Sequence, residues 1–251
     1  MPLYALIGYP LSHSFSKKYF TEKFERLNIR DSRYELHPLD AIEAFPVLVA
    51  SLPELKGMNV TLPYKEAVMA YLDEIDPAAA EVGAVNTILF QKNKTKGYNT
   101  DVYGFEQSLL NFFGKVGKGK PEKALVFGTG GAAKAVWYVL NKLNIEYKTV
   151  SRTPGKGDLT YQDLKLGREY MDAYRLLINT TPLGMSPKIE SCPDIPYEHL
   201  NDTHFLYDLV YNPEKTLFLK MGQNAGSAIC NGLEMLYLQA EKAWEIWTSE
   251  I

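Results

Sequence analysis

Residues 124–143 read ALVFGTGGAAKAVWYVLNKL. A short apolar run meets a glycine turn, and the turn opens a stretch in which Ala132, Ala135, Val136, Val139, Leu140 and Leu143 recur at helical spacing. Strand, turn and helix in this order let a backbone approach a pyrophosphate. Gly128, Gly130 and Gly131 present no side chain, and the helix N-terminus supplies N–H groups and the positive end of its dipole. The spacing is G-x-G-G rather than the full G-x-G-x-x-G, while Ala132, Ala133 and Ala135 stay small enough for close helix packing. The stretch therefore predicts a dinucleotide-binding α/β unit.

About 20 residues beyond the turn, an acid would bind a ribose 2′-hydroxyl. That position holds Ser151, Arg152 and Thr153, with no acid, and an arginine suits the 2′-phosphate that a carboxylate would repel. NADP(H) is the expected cofactor, in preference to NAD. Further strand candidates follow at IEYKTVS, YRLLINT and HFLYDLVY, so this half reads as doubly wound and mostly parallel.

Upstream, residues 114–123, GKVGKGKPEK, separate two periodic regions with three glycines and a proline and read as a linker. Before them the chain alternates LYALIG, FSKKYFTEKFERLN, YELHPL, LDAIEAFPVLVAS and GMNVTLP, a strand–helix rhythm. In the first helix Phe20, Phe24 and Leu27 share a face; AVNTILFQ and KTKGYNT read as a hairpin, followed by a helix from about Val102 to Phe113. At the other end, NGLEMLYLQAEKAWEIW predicts a helix packing through Leu233, Leu236, Tyr237, Ala240, Trp244 and Trp247. The fold class is α/β in two domains, as expected for 251 residues.

Composition is that of a globular protein, 46% hydrophobic and 23% charged. A balance of 27 Lys plus Arg against 30 Asp plus Glu gives no electrostatic reason for a nucleic-acid partner, and Lys115, Lys118, Lys120 and Lys123 read as a solvated linker. Cys192 and Cys230 are too few for a disulfide framework, and no Cys/His cluster suggests a metal. No basic leader precedes the first apolar run, and nothing approaches the ~20 apolar residues of a membrane span, so a cytoplasmic location is expected.

Hydride chemistry needs a substrate and a proton source. Ser14 and Ser16, Asn59, Thr61 and Lys65, Asn86 and Asp101 sit at strand ends and turns, where they can converge on a polyhydroxylated ligand; taken singly, each reads as a cap or turn residue. Desolvation pushes a lysine in a closed site toward neutrality and a carboxylate holds its charge, so Lys65 and Asp101 form the candidate proton-transfer pair. His13 is the other candidate acid or base. Asn59-Val60-Thr61 also has the form of a glycosylation acceptor, a reading that a cytoplasmic location removes.

The motifs GYPLSHSFS, GMNVTLPYKE, GAVNT, NTDVYGF, FGTGGAAKA, SRT, INTTPLGM, YDLVYNPEKT and NGLEMLYLQA, in this order, resemble the shikimate dehydrogenase family nearly end to end. The resemblance implies an N-terminal α/β substrate-binding domain, residues 1–101 plus 232–251, and a C-terminal Rossmann-type domain, residues 102–231, with the last helix packing back on the first. It implies NADPH-dependent reversible reduction of 3-dehydroshikimate to shikimate by a monomer or homodimer, with Lys65 and Asp101 catalytic. Substrate contacts are then Ser14, Ser16, Asn59, Thr61, Lys65, Asn86, Asp101, Tyr211 and Gln239. Cofactor contacts are Gly128, Gly130, Gly131, Ala132, Ser151, Arg152, Thr153, Asn179, Thr180, Thr181, Met185, Val210 and Gly232. Lys17 and Ser151 depart from the family's usual proline and asparagine, and the stretch from Arg152 to Asn179 is short. Two other readings remain: an NAD-using quinate/shikimate dehydrogenase, and a non-catalytic shikimate-sensing regulator on the same scaffold.

Overall fold

A computed structural model describes residues 1–11, 15–91 and 94–249. The chain divides into two compact units, Met1–Thr100 with Gln239–Ile251, and Asp101–Leu238. In the first unit the elements are β1 (Leu3–Gly8), α1 (Phe15–Arg26), β2 (Arg33–Pro38), α2 (Phe45–Ala50), β3 (Leu55–Val60), β4 (Glu74–Ile75), α3 (Pro77–Val82), β5 (Thr87–Gln91) and β6 (Lys94–Tyr98). Next come α4 (Thr100–Val116), β7 (Lys123–Phe127), α5 (Gly131–Lys142), β8 (Glu146–Ser151), β9 (Leu159–Thr160), α6 (Tyr161–Leu166), α7 (Arg168–Ala173) and β10 (Leu176–Asn179). The chain ends with β11 (Phe205–Asp208), α8 (Leu217–Asn224), β12 (Ala228–Asn231) and α9 (Leu233–Thr248).

The first sheet runs β2-β1-β3-β5-β6-β4. β1 pairs in parallel with both β2 and β3, whereas β5 is antiparallel to β3 and β6. Both faces of this sheet are covered, which is why LYALIG reads as an unbroken apolar run. Leu3, Ala5 and Ile7 join Met58, Val60 and Ile88 in one core. On the other face Tyr4 and Leu6 pack with Phe20 and Phe24 of α1 and with Ala240, Ala243 and Trp247 of α9. Trp247 stacks on Tyr4 at 5.0 Å between ring centroids and donates from Nε1 to the Ile88 carbonyl at 3.0 Å. Gly57 makes room for that indole: a Cβ there would lie 2.4 Å from its ring atoms. Beside it, the buried Lys23 ammonium and the Tyr19 hydroxyl both donate to the Glu241 carboxylate, fastening α9 to α1.

The second sheet is parallel throughout, in the order β12-β11-β10-β7-β8-β9. Counted from β7, that is the 3-2-1-4-5-6 order of a doubly wound dinucleotide-binding sheet, as expected, and the order reverses between β7 and β10.

Several local readings need correction. The expected helix over 39–51 breaks into a 3₁₀ turn, Ile42–Ala44, and the short α2, because Pro46 removes a backbone donor. β3 ends at Val60, and Tyr64 N–H closes a turn on the Thr61 carbonyl at 3.0 Å, since Pro63 has no N–H for a ladder. Leu27 lies past the end of α1 and is exposed, and Tyr237 faces outward. In α5 Ala133, not Ala132, belongs to the buried face. The linker begins later than read: α4 continues to Val116, and Lys118 and Lys120 are pinned to the carbonyls of Asp202 and Leu143. β12 escaped notice because Ala-Ile-Cys-Asn has no alternation to mark it. Among the described residues no helix is long and apolar enough to cross a membrane.

Candidate active site

In the first unit, one hydrogen-bonded chain links four of the predicted substrate residues. The Ser16 hydroxyl bonds the Tyr34 hydroxyl, which in turn donates to Asn59 Oδ1 at 2.7 Å. Asn59 Nδ2 donates to the Asn86 carbonyl at 3.3 Å and to Thr87 Oγ1 at 3.2 Å. Asn86 Oδ1 accepts from Thr100 N–H at 2.7 Å and from the hydroxyls of Thr100 and Thr87, each at 3.1 Å. Its Nδ2 donates to Gln239 Oε1 on α9 at 3.4 Å. These bonds fix the orientation of both asparagine amides. In the folded sheet the Asn59 amide nitrogen is thus committed to two internal bonds.

Strand register explains the assembly. Tyr34 lies opposite Tyr4 and Asn59 opposite Leu6, so both project from the face that Tyr4 and Leu6 share, on either side of β1. Tyr34 is buried and stacked on Phe20 at 4.8 Å, and this burial pushes its hydroxyl well above the usual tyrosine range. It stays a neutral donor. Sequence reasoning missed Tyr34, Thr87 and Thr100, whose partners lie on other strands; a tyrosine and two threonines carry no motif of their own.

Lys65 is half-buried just past the turn at Thr61, and its carbonyl accepts from Val85 N–H at 2.7 Å, next to Asn86. Thr61 N–H donates to the Ile7 carbonyl at 2.9 Å, and its methyl packs on Gly8, where a Cβ would fall 2.3 Å away. Asp101 is 9% exposed in the first turn of α4, immediately after the anchored Thr100. It opens the second unit, whereas Lys65 belongs to the first. Ser14 and His13 lie outside the described residues. Tyr211, in the second unit, is exposed.

In the second unit two of the predicted cofactor segments, the glycine turn after β7 and the Asn179–Thr181 loop after β10, meet where the strand order reverses. Gly128, at φ +105°, leaves β7 against the loop after β10: a Cβ on it would lie 2.8 Å from Thr180 Oγ1 and 2.9 Å from Thr181 Cγ2. The Thr180 N–H and hydroxyl both donate to the Phe127 carbonyl, at 3.0 and 2.8 Å. Gly130 is the N-cap of α5, with no side-chain cap, and a Cβ on Gly130 or Gly131 would meet nothing within 4 Å. Internal packing therefore does not demand these two glycines, and with Ala132 exposed beside them the helix N-terminus opens into free space, the environment a pyrophosphate needs.

After β8, Arg152 and Thr153 are exposed. Ser151 is buried and accepts Thr153 N–H at 3.1 Å, so it shapes the loop from below. The next acid along, Asp158, accepts both the N–H and the hydroxyl of Thr149 at 2.7 Å. Asn179 has no exposed surface, and its Oδ1 accepts from the Thr181 N–H at 3.1 Å and hydroxyl at 2.6 Å. Val210 and Gly232 are buried, and Met185 is exposed. Sequence reasoning also passed over Asp208, although a carboxylate ending a buried strand was a visible signal.

Residues 6–88 match the family model of the shikimate dehydrogenase substrate binding domain. Over 98% of its length the chain is 42% identical to a shikimate dehydrogenase (NADP(+)) of Clostridium beijerinckii, covering 92% of that protein. A shikimate 5-dehydrogenase from Thermus thermophilus, solved in complex with NADP(H) and shikimate, is 32% identical with a TM-score of 0.83, the match covering 100% of this chain and 95% of that one. A chorismate mutase/shikimate 5-dehydrogenase fusion protein from Clostridium acetobutylicum is 36% identical with a TM-score of 0.87, over 99% of this chain and 91% of that one. A likeness that runs through both units, at these identities, leaves one assignment: the chain belongs to the shikimate dehydrogenase family.

Proposed function

We propose that this chain catalyses the reversible, NADPH-dependent reduction of 3-dehydroshikimate to shikimate, an oxidoreductase step of aromatic biosynthesis. The unit with the mixed sheet binds the substrate, and the unit with the parallel sheet binds the cofactor. The observation that carries this reading is the chain of hydrogen bonds through Ser16, Tyr34, Asn59, Asn86 and Gln239, a set of amides and hydroxyls held in place by one another. Ring hydroxyls and a carboxylate are the ligand chemistry such a set suits.

The open N-terminus of α5 fits a pyrophosphate, and Arg152 with Thr153 fits a 2′-phosphate. NADPH, when bound there, supplies the hydride that reaches the ring carbonyl carbon. Lys65 donates a proton to the carbonyl oxygen as charge builds on it and takes the proton back in the oxidation direction. Asp101 is the other member of the proposed catalytic pair. Ser14, Ser16, Thr61 and Tyr211 complete the substrate contacts.

Arg152, and the engagement of Asp158, the next acid after β8, with Thr149, argue against an NAD-using quinate enzyme, in which a carboxylate would take the ribose 2′-hydroxyl. Oxidation of shikimate and of quinate, each with NADP⁺ and with NAD⁺, tests the reading through the near-ultraviolet absorbance of the reduced nicotinamide. Shikimate with NADP⁺ is expected to be the fastest pair. Faster turnover of quinate with NAD⁺ would replace this reading, and shikimate binding without turnover on either cofactor would mark a ligand sensor.

A further inference from the structure

Asp208 ends β11 with no exposed surface. Its Oδ1 accepts from Asn179 Nδ2 at 2.9 Å and from Val210 N–H at 3.0 Å, and its Oδ2 accepts from the Thr216 hydroxyl at 2.5 Å. Among the described residues no lysine or arginine forms an ion pair with it. Burial pushes its acid up to about 6 despite those three donors. For folding alone, a neutral side chain would be cheaper at this position.

What the carboxylate gains is geometry. It holds three segments at once: the loop after β10 through Asn179, the backbone after β11 through Val210, and the N-cap of α8 through Thr216. Asn179 passes this on, since its Oδ1 takes the Thr181 N–H and hydroxyl, and Leu209 N–H donates to the Asn179 carbonyl at 2.9 Å. Both loops follow the carboxyl ends of parallel strands, where a doubly wound sheet receives its ligand. The Val210 carbonyl in turn accepts from Gly232 N–H at 3.3 Å.

We propose that Asp208 is a positioning residue for cofactor binding, whose Oδ1 sets the Asn179–Thr181 loop and the Val210 backbone as one rigid edge against the cofactor. This rests on the NADPH reading above. Asp208 touches no cofactor itself; it acts through Asn179 and Val210.

The test uses the full chain and NADPH. NADPH binding is titrated by fluorescence, kcat and KM for shikimate are measured at saturating NADP⁺, and the melting temperature is recorded alongside. Asp208→Ala is expected to weaken NADPH about ten-fold or more, with kcat and the shikimate KM within about three-fold, because only the placing of two loop contacts is lost. Asp208→Asn is expected to recover most of that affinity. Its amide oxygen keeps both Oδ1 contacts, and its NH₂ donates to Thr216, whose hydroxyl turns to accept. If Asp208→Ala does not fold, Asp208→Glu carries the test: it keeps the charge, moves the carboxylate by one methylene, and is expected to weaken NADPH to a similar degree. Unchanged NADPH affinity in the variant that folds would overturn the proposal, as would equal losses in Asp208→Asn and Asp208→Ala. Loss of kcat in step with melting temperature, at constant affinity, would also overturn it by making the role purely structural. A wild-type chain that binds no NADPH overturns the cofactor reading and this proposal with it.

Discussion

Replacing Asn86 by alanine tests the first-unit network most sharply. Asn86 is 4% exposed, and its Oδ1 serves Thr100 N–H, Thr100 Oγ1 and Thr87 Oγ1. Truncation strands all three donors. The two threonine hydroxyls lie 3.2 Å apart, so one can turn to donate to the other, which leaves one backbone N–H and one hydroxyl buried without a partner. At roughly 1–3 kcal/mol for each, less what an entering water returns, the loss is about 2–4 kcal/mol. For a chain of this size that lowers the melting temperature by about 5–15 °C. Trp244 and Trp247 lie in the first unit and Trp137 in the second, so melting followed by indole fluorescence in a Trp137→Phe background reports on the unit in question. Asn86→Asp keeps every acceptor contact and gives up only the donation to Gln239, whose amide can turn over, so it should melt clearly above Asn86→Ala. If alanine melts within about 1 °C of the parent, or both variants fall equally, the hydrogen-bond argument fails.

Other expectations follow from the same geometry. Gly57→Ala forces a methyl into the Trp247 indole and should lower first-unit stability by about 1–3 kcal/mol, and Trp247→Ala leaves a cavity opposite Tyr4 and should lower it by about 3–5 kcal/mol, both measured by denaturant titration. Asp208 holds its proton more tightly folded than unfolded, so the stability contributed by its neutral form is present below the ordinary carboxylate pKa and lost as pH rises through about 6. Asp208→Asn, neutral throughout, should therefore melt increasingly above the parent between about pH 4 and pH 6.5, by up to about 3 kcal/mol; a gap constant across that range would contradict the burial argument. Arg152→Ala should raise the KM for NADPH about 10- to 100-fold and leave the KM for NADH unchanged, the loss of one charge-assisted phosphate contact; equal effects on both cofactors would remove Arg152 from the 2′-phosphate.

The parts of the fold legible in the sequence were those whose cause is local. Strand, glycine turn and helix at 124–143 are contiguous, so apolar spacing and the three glycines reveal them without knowledge of any partner. Arg152 was equally readable, because it follows the glycine turn at a set distance along one strand–helix–strand unit. Tyr34 could not be read, since its value depends on β2 and β3 flanking β1 so that its hydroxyl meets Asn59, 25 positions away. Thr87 and Thr100 depend likewise on Asn86 reaching between them. Leu27 and Tyr237 were misplaced because periodicity gives a helical face but neither the residue at which the helix ends nor the reach of its neighbours. Asp208 carried a signal, a charge inside HFLYDLVY, whose meaning needed the loops that its carboxylate ties together.

In the proposed mechanism Lys65 moves the proton, with Asp101 as the other member of the catalytic pair. Turnover of shikimate with NADP⁺ by Lys65→Ala, alongside shikimate binding by calorimetry, tests it most directly. A fall in kcat of about 10²- to 10⁴-fold with binding kept within about ten-fold is the predicted result. Turnover near that of the parent would contradict it.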